Sequence, residues 1–304
     1  MLDPIARLRR FNRVVTREIG ALDTSYLGRG RPLGVARVLH LVKPGGTDVA
    51  ELRLRLGLDT GLLSRILRGL KNEGLIHLAT DPADRRRRIV RLTPEGQAEW
   101  QIYDQLGYAK AQAVFDRAGT RQQALIDAMD LIATVMLQDQ VEIRDADPDD
   151  PAALACVGAY YRLLMETFPD FTPDMFPLPL PDATRCRPPL GACLVAWSDD
   201  LPVGCVSLRP LGNGVAEVKR LWVDPVARGQ GLARRLMRSI ETRAVAQGFT
   251  DLRLDSHTDL APAIALYRND GWVEIAPYTG YPANIWMAKR LRPRQHFSPP
   301  QHFR

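Results

Sequence analysis

Residues 215–248 read VAEVKRLWVDPVARGQGLARRLMRSIETRAVAQG, and this stretch decides the fold of the second half of the chain. In its opening strand the apolar positions are Ala216 and Val218, then Leu221 and Val223. The alternation slips by one residue, as a β-bulge near Lys219-Arg220 would cause. Such a bulge splays the strand from its neighbour (Leu252, Leu254) and opens a cleft. The loop Arg228-Gly229-Gln230-Gly231-Leu232-Ala233 follows. Leu232, Leu236, Ile240 and Ala244 then repeat at helical spacing, up to Gly248 as a stop. Glycines let the backbone pass close to a ligand, and a helix start offers unpaired N–H groups to an anion. A strand, a glycine loop and a helix in this order are equipment for a pyrophosphate.

A glycine pair alone is weak, since a plain turn uses the same residues. A dinucleotide-binding fold needs a third glycine and an acidic residue about 20 positions on. Asp251 and Asp255 stand near that distance, but the third glycine is missing and the helix comes in mid-domain, which excludes that reading.

Working outward, the 304 residues suffice for two domains, each with its own core. Charges interrupt every apolar stretch, so no membrane span is expected. Residues 1–17 lack the continuous apolar core of a secretory signal. Cys156, Cys186, Cys193 and Cys205 show no CxxC spacing and have no clustered histidines. They read as free thiols of a cytoplasmic protein without a metal. The net charge of +6 is uneven: residues 1–145 carry 23 Lys/Arg against 18 Asp/Glu, and residues 146–304 carry 18 against 17. A basic first half agrees with a nucleic-acid partner.

In that half, Ile5, Leu8, Phe11, Val15, Ile19 and Leu22 share one face of a helix over 3–22, and a shorter helix is expected over 33–42. Thr47 is read as the cap of the next helix, with Gly57 as its stop. Asp59 caps a second helix with the apolar stripe Leu62, Leu63, Ile66, Leu67 and Leu70, ended by Gly74. The strands Leu75–Thr80 and Ile89–Thr93 flank the turn Asp81-Pro82-Ala83-Asp84 and the run Arg85–Arg88, and Thr93-Pro94 opens another helix. A last helical face holds Leu125, Ala128, Met129, Ile132, Val135 and Met136.

Two short helices and a hairpin make a winged helix-turn-helix. Its second helix presents Thr60, Gly61, Ser64, Arg65 and Arg68 opposite the buried stripe, suited to base edges. Arg85, Arg86, Arg87 and Arg88 at the wing suit phosphates or a minor groove. For Arg65 or Arg68 alone a solvated helix face is the plainer reading.

Over residues 1–142 the chain resembles the MarR family of regulators. The residues that carry the likeness are Leu58-Asp59-Thr60-Gly61-Leu62-Leu63-Ser64-Arg65, Leu70 to Leu75, and Asp81 to Arg86 leading to Leu92-Thr93. Ala83 stands where that family often has arginine. The resemblance implies double-stranded DNA as partner and a homodimer joined through the first and last helices of the N-terminal domain.

The acidic segment Asp145–Pro151 reads as the boundary. Beyond it helices and strands alternate in the α/β manner to Leu291, and residues 292–304 read as a disordered tail. Over 151–291 the chain resembles the GNAT superfamily of N-acetyltransferases. The likeness rests on Gly204, on Glu217 to Pro225, on Arg228, Gly231 and Ala233, and on Ala265 to Trp272, with Trp272 where phenylalanine is usual. The expected architecture is a helix-rich MarR-like domain over 1–145 followed by an α/β GNAT fold with a central mixed, splayed sheet.

The resemblance implies acetyl-CoA as donor, held by Leu221, Trp222 and Val223 on the strand and by Arg228, Gly229, Gln230, Gly231, Leu232, Ala233 and Arg234 at the helix start. Glu217 is the expected base for the amine, directly or through water, and Tyr267 the acid for the departing thiolate. The N–H of Val223 is expected to polarise the thioester carbonyl. From spacing alone Tyr267 is as well read as a core aromatic, and Glu217 as one half of a salt bridge. Tyr278, Tyr281 and Trp286 read as sheet packing or as a cover over the acceptor. The adjacent residues Asp255, Ser256 and His257 cannot face one another as a catalytic triad. The combined expectation is a transcriptional regulator that acetylates the amine of a small metabolite or amino acid. The alternatives are a regulator with a non-catalytic acyl-CoA or metabolite sensor, and a protein-lysine acetyltransferase.

Overall fold

In the computed structural model of the protein, residues 3–81 and 84–291 are described. Pro82 and Ala83 of the expected wing turn, and the expected tail 292–304, lie outside the described residues. Backbone contacts divide the chain into two compact units that part between residues 122 and 123.

The first unit carries α1 (Pro4–Glu18), α2 (Leu33–His40), β1 (Thr47–Asp48), α3 (Val49–Leu56), α4 (Thr60–Asn72), β2 (Ile76–Thr80), β3 (Arg88–Leu92) and α5 (Pro94–Ala118). β1, β3 and β2 form a small antiparallel sheet in that order. The core gathers Val38, Leu39, Leu52, Leu63, Leu70 and Val90. Asp59 caps α4 through its side chain, which accepts from Leu62 N–H at 2.9 Å. Thr93 caps α5 in the same way, accepting from Gly96 N–H at 3.0 Å. α3 differs from expectation: its cap is Asp48, which accepts from Ala50 N–H. Thr47 sits one residue earlier in β1, where its buried hydroxyl donates to Leu41 O. α1 stops at Glu18, short of the expected Leu22, and buries none of its residues. Ile5, Leu8 and Ile19 are left exposed.

The second unit begins with α6 (Gln122–Met136), which the sequence placed in the N-terminal domain. Its chain runs almost directly into β4 (Glu142–Asp145), and β4 pairs antiparallel with β5 (Ala192–Ser198). The strand before the expected boundary is therefore already part of the second sheet. The acidic segment after it is ordered by its charge: Asp147 accepts twice from Arg187, at 2.6 and 2.8 Å, and Asp150 precedes α7 (Pro151–Thr167). β6 (Leu201–Gly212), β7 (Val215–Val223), α8 (Leu232–Ala246), β8 (Asp251–Ser256), α9 (Ala261–Asn269), β9 (Val273–Glu274) and β10 (Ile285–Arg290) complete the unit. The seven strands lie in the order β4-β5-β6-β7-β8-β10-β9. Among the described strands only the β7–β8 pair is parallel. One core joins Leu236, Ile240 and Ala244 of α8 to the sheet, and a second packs Val157 and Leu164 of α7 against Val195 and Cys205. No described helix is long and apolar enough to cross a membrane.

Candidate active site and nucleic-acid face

The site begins at the bulge. Between the pairs Cys205↔Trp222 and Ser207↔Lys219 the ladder gains one residue on β7. Arg220 takes up the slack at φ 56°, a left-handed conformation that non-glycine residues rarely adopt. Its guanidinium is held on both sides, donating to Asp182 Oδ1 at 2.6 Å and to the Tyr161 hydroxyl at 3.0 Å. β8 pairs with β7 only over Val215–Glu217, although β8 itself runs on to Ser256. The two strands part at Glu217, and the gap between them is the cleft.

Two cavities meet in this gap. The larger, of about 550 Å³, is walled by Leu221, Trp222 and Val223 on β7, and by Arg228, Gly229, Gly231, Leu232, Ala233 and Arg234 at the start of α8. Nine of the ten residues expected to hold the donor thus line one cavity. Gln230 is the exception, its amide turned back to donate to Val226 O at 3.5 Å.

Gly229 and Gly231 stand at φ 76° and 74°, and a Cβ at either would meet nothing within 4 Å. Their glycine identity answers to backbone conformation, and the space above them stays open. No side chain caps α8, and Arg235 is the first residue whose N–H bonds back, to Gly231 O. The N–H groups of Leu232, Ala233 and Arg234 have no partner within the helix. An anion of pyrophosphate kind fits this end of the cavity on geometry and on the helix dipole alike.

Val223 completes the wall. Asp224 N–H donates to Val203 O, so the neighbouring pair Gly204↔Val223 falls at a non-bonded rung. The alternation of an antiparallel ladder turns the Val223 N–H away from β6, toward the side from which β8 has parted.

The smaller cavity, of about 260 Å³, shares Tyr160, Leu221, Leu260 and Ala263 with the larger. Its floor is the bulged part of β7, and the end of β8 with Asp255 and His257 forms one wall. Tyr267 reaches in from α9 and is 7% exposed. Burial, and after it the charge of Asp255, push the Tyr267 phenol well above its ordinary range, so it stays protonated.

Glu217, the expected base, is fully buried and lines neither cavity. Its carboxylate accepts from Arg209 Nε at 2.7 Å and from the Tyr278 hydroxyl at 2.9 Å, with Lys219 Nζ 3.9 Å away. Direct contact with an acceptor amine is closed to it. The carboxylate on the cavity wall is that of Asp255, which accepts from Lys219 Nζ at 2.6 Å and from Thr279 Oγ1 at 3.2 Å. Thr279 is oriented in turn by Trp286 Nε1, 2.7 Å from its hydroxyl. Trp286 and Tyr278 therefore brace the polar floor from below, while Tyr281 is 70% exposed at the edge of the aromatic lobe. Burial works to raise the Asp182 carboxyl, but the bond from Arg220 and the charges of Arg220 and Arg209 hold it below the usual range.

The third wall was not anticipated. α7 ends where Phe168 turns extended (φ −121°, ψ 107°) ahead of Pro169, and the chain then carries Phe171, Met175 and Phe176 into the cavity. Phe168 lies 4.7 Å from Phe171, and Phe171 lies 5.5 Å from Phe176, between ring centroids. Three phenylalanines in nine residues broken by prolines were the available signal: rings at that density in a loop must cover something.

In the first unit Thr60, Ser64, Arg65 and Arg68 all lie on the exposed face of α4, with Leu63, Leu67 and Leu70 buried behind them. Thr60 Oγ1 also accepts from Arg53 at 3.2 Å. At the wing Arg85, Arg86 and Arg88 are exposed. Arg87 is tethered, donating to Asp48 Oδ2 at 2.6 Å, so the residue that caps α3 also fixes the wing. Arg87 thus braces the face more than it extends it.

Sequence comparisons agree with this anatomy. The acetyltransferase (GNAT) family matches residues 158–272, and the MarR family matches residues 29–87. The chain is 34% identical over 135 residues to a protein named IAA acetyltransferase from Azospirillum brasilense, a match that covers 42% of this chain and 88% of that protein. It is 37% identical over 93 residues to an N-acetyltransferase of Schizosaccharomyces pombe, covering 30% of this chain and 57% of that one. Among solved structures, an acetyltransferase of the GNAT family from Staphylococcus aureus superposes with a TM-score of 0.43 at 17% identity, over 50% of this chain and 99% of that one. The chain belongs to the GNAT acetyltransferase family through its second unit, and to that acyltransferase domain it joins a MarR-family domain at its N-terminal side.

Proposed function

We propose that this protein is a transcriptional regulator that also acts as an N-acetyltransferase, moving an acetyl group from acetyl-CoA to the amine of a small molecule. One observation carries the enzymatic half: two cavities meet at the β7 bulge, and the larger ends on the uncapped start of α8. A donor with a phosphate end and a long arm would lie in the larger cavity, and an acceptor in the smaller. Acetyl-CoA, when bound, supplies a thioester open to attack by an amine.

The chain's own residues supply the rest. The N–H groups of Leu232–Arg234 hold phosphate oxygens, and the Val223 N–H stands ready for a carbonyl oxygen that gains charge. Asp255 takes the proton of the acceptor amine, and Tyr267 gives one to the departing sulfur. Glu217 is a positioning residue: with Arg209 and Tyr278 it fixes the floor on which Lys219 holds Asp255. The phenylalanine lobe keeps water from the acceptor.

For the regulatory half, the exposed faces of α4 and the wing support binding to double-stranded DNA. The exposed apolar side chains of α1 and α6 support a homodimer. The first test is thiol release from acetyl-CoA with a panel of amines and amino acids. Release that depends on an acceptor is expected. Binding of acetyl-CoA without release for any acceptor would favour the sensor reading.

A further inference from the structure

We infer that the acceptor is an aromatic monoamine, its ring held among Phe168, Phe171 and Phe176 and its nitrogen between Asp255 and Tyr267. This rests on the acetyltransferase reading above and narrows its substrate class. The apolar part of the argument is shape and surface. The rings of Phe168, Phe171 and Phe176 form a continuous chain along one wall, with Tyr161 4.8 Å from Phe176. His257 adds its edge 4.4 Å from Phe168. Offset and edge-on ring pairs at such separations favour a further ring over an alkyl chain.

The polar part limits the charge of the guest. Lys219 is bound to Asp255 at 2.6 Å, and Arg220 is bound to Asp182 and Tyr161. The Nε2 of His257 faces the Asn284 amide at 3.1 Å. The charged groups of the wall are therefore paired among themselves, and Asp255, met by Lys219 on Oδ1 and by Thr279 on Oδ2, is the carboxylate that lines the cavity. One ammonium can be met there. A polyamine would bring charges with no partner, and an α-carboxylate would have to draw Lys219 from Asp255.

The transfer balances on the groups present. The amine nitrogen bonds to the thioester carbon and the carbon–sulfur bond breaks. One nitrogen proton passes to Asp255, one proton leaves Tyr267 for the thiolate, and the Asp255 proton returns to Tyr267 through solvent. An acceptor entering as ammonium releases one further proton, and the products are the amide and free thiol.

The test compares 2-phenylethylamine, n-butylamine, phenylalanine and spermidine on the full chain. Three readouts are taken: acetyl-CoA binding by calorimetry, ring contact by saturation-transfer NMR with CoA present, and thiol release. The expected kcat/KM for 2-phenylethylamine exceeds that of each other acceptor at least about tenfold. Its ring protons saturate most strongly, and Phe171→Ala removes that saturation while acetyl-CoA affinity holds. Phe171→Leu, which keeps the lobe filled, loses the ring preference to a lesser degree. Equal or better turnover of n-butylamine, phenylalanine or spermidine overturns the inference and leaves the enzyme standing. Acetyl-CoA binding with no ring saturation and no release also overturns it. Failure of acetyl-CoA to bind at all overturns the acetyltransferase reading and the inference with it.

Discussion

Glu217, buried beneath the acceptor cavity, and Asp255, on its wall, stand on neighbouring strands, and substitution separates their roles. Glu217 is buried with two short bonds, from Arg209 and Tyr278. In Glu217→Gln the amide oxygen can keep the Arg209 bond, and the Tyr278 hydroxyl can turn to accept from the amide nitrogen. Arg209 also keeps Asp182, 3.0 Å from its Nη1. The loss is then one charge-assisted interaction, about 1.5–3 kcal/mol. For a unit of this size that is about 3–12 °C in the melting transition of the second unit. Glu217→Leu strips both bonds and costs about 3–5 kcal/mol, because Arg209 is left half paired in a buried site.

Turnover should not follow stability. If Glu217 only positions, Glu217→Gln lowers kcat/KM by less than about tenfold. Asp255→Asn should do the reverse. Its amide oxygen still accepts from Lys219 at a less buried position, so the melting temperature falls less than in Glu217→Gln, while kcat/KM falls about 10²- to 10⁴-fold. The assay is steady-state thiol release across pH beside thermal melts of the same samples. A Glu217→Gln enzyme that is stable yet loses about a hundredfold in rate, beside an Asp255→Asn enzyme of unchanged rate, would refute the assignment.

Tyr267→Phe removes the acid but keeps the ring against Trp272, so kcat should fall about 10²-fold or more at unchanged acetyl-CoA affinity. Because burial and Asp255 raise this phenol, the wild-type rate should hold through the ordinary tyrosine range near pH 10, and an alkaline loss centred there would contradict the role. Gly231→Val forces a β-branched residue into φ 74° at the start of α8; that strain, about 1–3 kcal/mol, should lower the melting temperature of the second unit by about 2–12 °C, and acetyl-CoA affinity by calorimetry at a temperature where the variant is folded should drop. In the first unit, Glu99 is held below the ordinary carboxylate range, chiefly by its bond from Arg29 at 2.7 Å. A lowered folded-state value means this stabilisation is full above the unfolded carboxylate range and is lost as pH falls through the folded one. Urea midpoints of that unit should decline below about pH 4.5, and Glu99→Gln should flatten the decline.

The parts that the sequence made legible are those in which one local rule settles the outcome. The slip between Val218 and Leu221 announced the bulge, and Arg220 at φ 56° is its physical form. The helical repeat of α8 and its two leading glycines were legible in the same way, and the family resemblance named the residues around them, nine of which line one cavity. Asp59 and Thr93 were legible as caps because a cap is a contact within three residues. Where two residues competed for one local task the sequence misled: Thr47 and Asp48 can each cap α3, and the choice fell to a distant partner. The Thr47 hydroxyl is drawn to Leu41 O, and the Asp48 carboxylate also answers Arg87 of the wing.

The acceptor side was opaque for the same reason at longer range. Which carboxylate faces the cavity depends on Arg209, Tyr278 and Lys219, three residues on three different segments. Alternation along β7 says only that Glu217 and Lys219 share a face. Once Arg209 from β6 and Tyr278 from the loop before β10 close on Glu217, the exposed negative charge has to come from the strand that has peeled away, which is β8 at Asp255. The peeling that opens room for a donor thus also sets which side chain can meet an amine. A bulge displaced along β7 would move both together, so donor geometry and acceptor chemistry are fixed by one irregularity in the sheet.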